Sequence, residues 1–159
     1  MLYTSRLHGW TRFVSMQNHL NLIYREEERE MLPLCRDAKV GSIPYSPLAS
    51  GRLTRDWASE RTVRSETDQI AKNKYDATAD ADGQVVTRVA EVATRHGATR
   101  AHVALAWLLQ KDPVTAPIIG ATKIAHLEEA IGALSLTLSQ EDVTFLEEPY
   151  VPHRIVGHQ

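Results

Sequence analysis

Apolar positions along this chain gather in short extended runs separated by stretches with a three- and four-residue period. Residues 13–17 form a short apolar run after Gly9, which predicts a strand, and polar residues 18–21 predict the loop after it. Residues 25–36 predict a helix. Glu26, Glu27, Glu28 and Glu30 suit its positive end, Met31, Leu34 and Cys35 form its stripe, and Pro33 predicts a kink or an early stop. Residues 40–43 predict a second strand. Residues 52–81 carry many charges and no clean period, which predicts a long irregular connection. Val85, Val86, Val89, Val92 and Ala93 then mark an amphipathic helix ending at His96-Gly97. Thr99 predicts the N-cap of another helix, with Val103, Ala104, Trp107 and Leu108 on its buried face. After Asp112-Pro113, residues 116–120 predict a third buried strand. Ile124, Leu127, Ile131 and Leu134 give the next helix one apolar face, and Ser139 with Asp142 resembles a capping box that opens a last helix.

Strands that alternate with helices predict an α/β fold built from parallel βα units. In barrels of such units the functional residues lie at the C-terminal ends of the strands. Three ends are visible. The first carries Gln17, Asn18 and His19. The second carries Tyr45 and Ser46 and runs through a Pro- and Gly-punctuated turn to Gly51. The third carries Gly120, Ala121, Thr122 and Lys123, where the next helix starts. A tyrosine at a strand end suits a flat heterocycle. Loop amides, Ser46, Ser50 and a helix N-terminus suit a phosphate.

Composition narrows the class. The 159 residues suit one domain with a moderate core. A net charge of −2 gives no reason to expect nucleic acid or an anionic membrane as partner. A lone cysteine, Cys35, forms no intrachain disulfide, lacks an activating neighbour in sequence, and predicts a cytoplasmic setting. No apolar run reaches transmembrane length, and the first ten residues read as the last turns of a helix rather than a signal peptide.

Four ordered segments carry a more specific signal: MQNHLNLIYREEEREMLPLC (16–35), IPYSPLASGRLT (43–54), TRAHVALAWLL (99–109) and APIIGATKIAHLEEAIGAL (116–134). In this order they resemble the aldo-keto reductases, in particular bacterial members similar to the potassium-channel β-subunits. The resemblance implies the C-terminal portion of a (β/α)8 TIM barrel, strands six to eight with their helices. It divides the chain into a helix remnant (1–9), βα units (10–148) and a tail (149–159). It implies NADP as cofactor, NAD not being excluded, and hydride transfer to an aldehyde or ketone with no metal.

By the same resemblance Gln17 holds the nicotinamide carboxamide and Tyr45 stacks on its ring. Ser46, Leu48 and Ser50 form the pyrophosphate loop. Gly120, Thr122 and His126 lie at the ribose and 2′-phosphate, and Glu129 at the adenine. Two positions depart from the pattern: His126 stands where relatives often have Arg or Gln, and Ala130 where many have Asn. Lys123 and Arg52 add positive charge near these segments. The family's catalytic Asp, Tyr, Lys and His belong before Gly9 in the barrel and map to no residue here. Tyr24, Tyr75 and His19 do not replace them by spacing. The isolated chain is therefore expected to lack reductase activity and, with open strand edges, to self-associate or to pair with an N-terminal half-barrel. A non-catalytic nucleotide-binding module and an inert truncated product are the alternatives.

The remaining residues have plainer readings. Gln17 suits a buried amide as well as a carboxamide contact. His19 reads as loop or substrate-side lining, and His8, His96, His102, His153 and His158 as surface or capping residues. The glutamate run at 26–30 reads as a solvated helix face, and Trp57 as either a lid residue or an anchor.

Overall fold

The computed structural model describes residues 1–57 and 68–156. The middle of the long connection, residues 58–67, and His158 lie outside the described residues. Helix α1 (Leu2–Leu7) runs into Gly9, whose φ of 64° is left-handed. Strands β1 (Ser15–Met16) and β2 (Gly41–Ser42) pair in parallel, Ser15 against Gly41 and Met16 against Ser42. The pairing continues to a bridge between His19 and Tyr45, which brings the first two strand ends side by side.

The third expected strand is a hydrogen-bonded lane rather than a regular strand, and it begins earlier than residue 116. Ser42 donates to the Pro113 carbonyl at 3.0 Å, Thr115 donates to Ser42 at 2.7 Å, and Ile118 donates to Pro44 at 2.7 Å. Proline at 113 and 117 supplies no N–H, so the ladder is interrupted where a regular strand would continue. Gly41 permits the approach: a Cβ there would sit 2.5 Å from Thr115 Oγ1.

Helix α2 (Met31–Ala38) starts later than the sequence predicts. Pro33 falls in its first turn, where a missing N–H costs nothing, so it neither kinks nor stops the helix. The glutamates precede the helix, with Glu26–Glu28 forming a 3-10 turn. Glu30 is exposed, but the others are not a solvated face. Glu26 is buried and accepts from the Tyr150 hydroxyl at 2.8 Å and from the His153 amide at 2.6 Å. Glu28 pairs with Arg25 at 2.6 Å and with Lys111 at 3.1 Å.

The expected irregular connection contains α3 (Gln69–Tyr75) and the start of α4 (Ala79–His96). Asp68 caps α3 by accepting from the Ala71 amide at 2.9 Å. Helix α5 (Arg100–Leu109) is capped by Thr99 as expected, its hydroxyl oxygen accepting from the His102 amide at 3.1 Å. Then come α6 (Ile124–Gly132) and α7 (Gln140–Glu147), the latter opened by a full Ser139–Asp142 capping box.

Residues 20–24 and the inward faces of α4, α5 and α7 form the core, with Leu20, Tyr24, Val89, Trp107 and Leu146 all nearly inaccessible. Val40 is buried as well, because the chain turns directly from α2 into β2 with the Val40 amide on the Cys35 carbonyl at 2.9 Å. Phe13, Val14 and Ile118 remain exposed. So does the apolar row of α6: Ile124, Leu127 and Ile131 are 77%, 50% and 56% accessible, and no described element packs over it.

The tail is tied down. His153 is buried, not a surface residue: its Nε2 lies 2.8 Å from Asp82 of α4, and both side chains are almost inaccessible. The Val156 amide donates to the Tyr24 hydroxyl at 3.3 Å. His96 does sit at a helix end, 2.8 Å from Asp142.

Candidate functional site

The turn after β2 has an uncommon backbone. Ser46, Ala49, Ser50 and Gly51 have φ of 57°, 49°, 56° and 86°. Left-handed conformations at non-glycine residues cost free energy and concentrate where backbone amides are turned toward a ligand. At residue 51 glycine takes the φ of 86° without the steric cost that a side chain would carry.

This turn forms one wall of a cleft of about 510 Å³, a volume typical of small-molecule sites. Ser46, Leu48, Ser50, Gly51, Thr54 and Arg55 contribute from the turn side. Ala101 and Leu105 of α5, with Ile118 and Ile119, supply an apolar floor. Gly120 and the first turns of α6, through His126, Glu129 and Ala130, close the far side. The donor set fits a nucleotide: turn amides, the hydroxyls of Ser46, Ser50 and Thr54 and a guanidinium for phosphate, and a small apolar surface for a base or sugar.

Tyr45 lies beyond this lining, in a packed aromatic group. Its ring is 4.9 Å from His19 at 17°, and His19 is 4.1 Å from Tyr24 at 17°, so His19 is the middle member of a three-ring stack. His19 Nε2 is 2.7 Å from the Tyr75 hydroxyl, which also receives Asn21 Nδ2 at 3.1 Å and lies 3.2 Å from Ser46 Oγ. Burial, with the nearby charge of Lys74, lowers the His19 pKa from 6.5 to about 3. Burial pushes Tyr75 up to about 12, despite hydrogen bonds from Ser46 and Asn21 and the charge of Arg52. Both are neutral at ordinary pH. His19 is thus a core group that supports Tyr45, not a loop residue. Ser46 joins the two regions, since it lines the cleft and its carbonyl accepts from Asn21 at 3.0 Å.

Among the residues singled out from sequence, Ser46, Leu48, Ser50, Gly120, His126 and Glu129 meet around one cleft. Gln17 is exposed, not a buried amide, and with Thr122 and Tyr45 lies outside that lining. Arg52 faces elsewhere: it pairs with Asp76 at 2.5 Å and lies over the Tyr75 ring. Lys123 is exposed at the start of α6. Trp57 is an anchor, packed on the core with its indole N–H on the Arg52 carbonyl at 2.7 Å. Thr54 and Arg55 were missed, although Arg55 lies only four residues past the marked turn. Cys35 is buried, and desolvation raises its pKa, so it is not activated. Among the described residues no group of three or more His, Cys, Asp or Glu is placed to hold a metal ion, and no helix is long and apolar enough to cross a membrane.

Comparison with known proteins places these features in a family. The profile of the aldo/keto reductase family matches residues 2–150. An aldo-keto reductase of Fusarium vanettenii is 47% identical over 150 residues, covering 94% of this chain and 40% of that protein. Versiconal hemiacetal acetate reductase of Aspergillus parasiticus is 44% identical over 148 residues, covering 92% of this chain and 43% of that protein. An aldo-keto reductase of Metarhizium robertsii is 46% identical over 150 residues, covering 94% of this chain and 40% of that protein. The chain spans less than half the length of these curated relatives. Enzymes of this family generally use NAD(P)H, and their fold is a (β/α)8 barrel; this small α/β structure, with few strands among its described residues, is consistent with an incomplete barrel.

Proposed function

Because this chain belongs to the aldo/keto reductase family, we propose that it is the cofactor-binding part of an NAD(P)H-dependent carbonyl reductase. Its three lanes correspond to strands six to eight of the barrel. The observation that carries the reading is the convergence of two segments, distant in sequence, on one cleft. The left-handed turn at 46–51 meets Gly120, His126 and Glu129 there. In this reading the turn and Arg55 hold the pyrophosphate. His126 lies at the ribose 2′ position in place of the Arg or Gln common in relatives, NADP is the cofactor that the family likeness implies with NAD not excluded, and Tyr45 backs the nicotinamide. Bound NADPH supplies a hydride to an aldehyde or ketone. The residues of this chain bind and orient the dinucleotide, and the acid that protonates the carbonyl oxygen belongs to the other part of the barrel.

The exposed apolar residues support the second half of the reading. Phe13 and Val14, just ahead of β1, are exposed, and Ile124, Leu127 and Ile131 form an exposed row on α6. These are the surfaces an N-terminal half-barrel would cover. Buried apolar area drives such closure at roughly 25 cal/mol per Å².

The test is a fluorescence titration of the full chain with NADPH, followed by an aldehyde-reduction assay. The assay is run with and without the complementary N-terminal part of the Fusarium vanettenii relative. Saturable binding without turnover, and turnover on adding that part, is the expected result. Absence of binding by the chain overturns the cofactor reading. Turnover by the chain alone overturns the division of labour.

A further inference from the structure

Tyr45 is half-buried, with the His19 ring and the Lys74 ammonium as its neighbours. His19 lies against one face at 4.9 Å, and Tyr24 backs His19 at 4.1 Å. A pair of rings that close leaves no space for an ammonium between them. The Lys74 Nζ, 4.7 Å from the Tyr45 centroid, therefore sits over the opposite face. An ammonium over a tyrosine face is attracted by the ring quadrupole, and more strongly where water is partly excluded. Lys74 is half-buried, and desolvation lowers its pKa.

Helix α3 delivers this lysine and is fixed beside it. Tyr75 is fully buried, with its hydroxyl on His19, Asn21 and Ser46. Asp76 is bound by Arg52 at 2.5 Å. The backbone under Lys74 is thus held on its C-terminal side, while its four-carbon stem keeps rotational freedom. The ammonium can leave the ring without movement of the helix.

We propose that Lys74 is a built-in occupant of the Tyr45 face, a cationic cap that a flat heterocycle must displace in order to stack there. The proposal rests on the dinucleotide reading above, in which that heterocycle is the nicotinamide ring. It makes Lys74 a determinant of affinity at the nicotinamide end of the ligand only. A ligand that stops at the second ribose leaves the cap in place.

The test uses the full chain, with Lys74→Ala and Lys74→Gln, and two probes, NADPH and ADP-ribose, measured by calorimetry. Both variants are expected to bind NADPH about three- to tenfold tighter, the scale of a displaced cation–π contact, and to bind ADP-ribose as the parent chain does. In the parent chain the ε-methylene proton resonances of Lys74 are expected upfield from the ring current of Tyr45. They return to ordinary positions on saturation with NADPH but not with ADP-ribose. Unchanged NADPH affinity overturns the cap, as does equal tightening for ADP-ribose or an ε-methylene signal still upfield at NADPH saturation. All three leave the dinucleotide reading standing. Binding of neither probe by any of the chains overturns that reading, and the cap with it.

Discussion

The His19 imidazole lies 2.7 Å from the Tyr75 hydroxyl, in a pocket of rings where its charged form is strongly disfavoured. Burial, then Lys74, brings its pKa from 6.5 to about 3. The unfolded chain binds a proton at His19 near pH 6.5, and the folded chain does not until about pH 3. Between these values the unfolded state binds more protons, so this residue's contribution to stability is full above pH 6.5 and falls on acidification.

Thermal melts at pH 7 and pH 4 on the full chain and on His19→Phe check this. The parent chain is expected to lose more of its melting temperature between the two than the variant does. The variant at pH 7 is expected to be less stable by about 1–3 kcal/mol, because the Tyr75 hydroxyl loses a partner. Equal acid sensitivity in both chains contradicts the account of His19.

The His153–Asp82 pair gives the opposite slope. Burial alone lowers the His153 pKa, but the hydrogen bond and charge of Asp82, with the Pro152 and Val151 backbone, outweigh it, and the net shift is upward. A raised pKa means that the pair stabilises fully below the ordinary histidine value. That stabilisation is lost as pH rises through the folded value. Urea midpoints at pH 6 and pH 9 are therefore expected to fall in the parent chain and to stay nearly level in Asp82→Asn. The variant is expected to be less stable at pH 6 by about 3–5 kcal/mol, because it leaves a buried partner alone. A parent chain with equal midpoints at both values contradicts this reading.

Gly41 sets the spacing between β2 and the third lane. A Cβ there meets Thr115 Oγ1 at 2.5 Å but Thr115 Cβ at 3.5 Å, an ordinary contact. Gly41→Ala is expected to cost about 1–3 kcal/mol in denaturant unfolding, the range for overpacking. Adding Thr115→Ala is expected to recover most of the loss. A double variant no better than the single one contradicts the close-approach explanation.

Much of this was legible from residue order, because local rules and packing agreed. Thr99 and Ser139 cap where their hydroxyls and positions predict, and Val85, Val89 and Val92 face inward at their period. The turn at 46–51 was marked by its Pro, Ser and Gly spacing. Other features depend on contacts that spacing does not encode. Helix α3 has no apolar period and is held by an Asp68 cap and by Tyr75 reaching His19, Asn21 and Ser46. Glu26 and His153 read as polar surface, yet partners far along the chain bury them. The α6 row was correctly periodic, but a period says only that a face is apolar, not that something covers it.

The central claim is that the two segments around the cleft bind one dinucleotide, and amide chemical-shift mapping of the full chain during NADPH titration tests it most directly. The account predicts saturable shifts concentrated at residues 46–55 and at Gly120, His126, Glu129 and Ala130, with Tyr45 perturbed at the nicotinamide end. Absence of saturable shifts, or shifts confined to the exposed row of Ile124, Leu127 and Ile131, would contradict it.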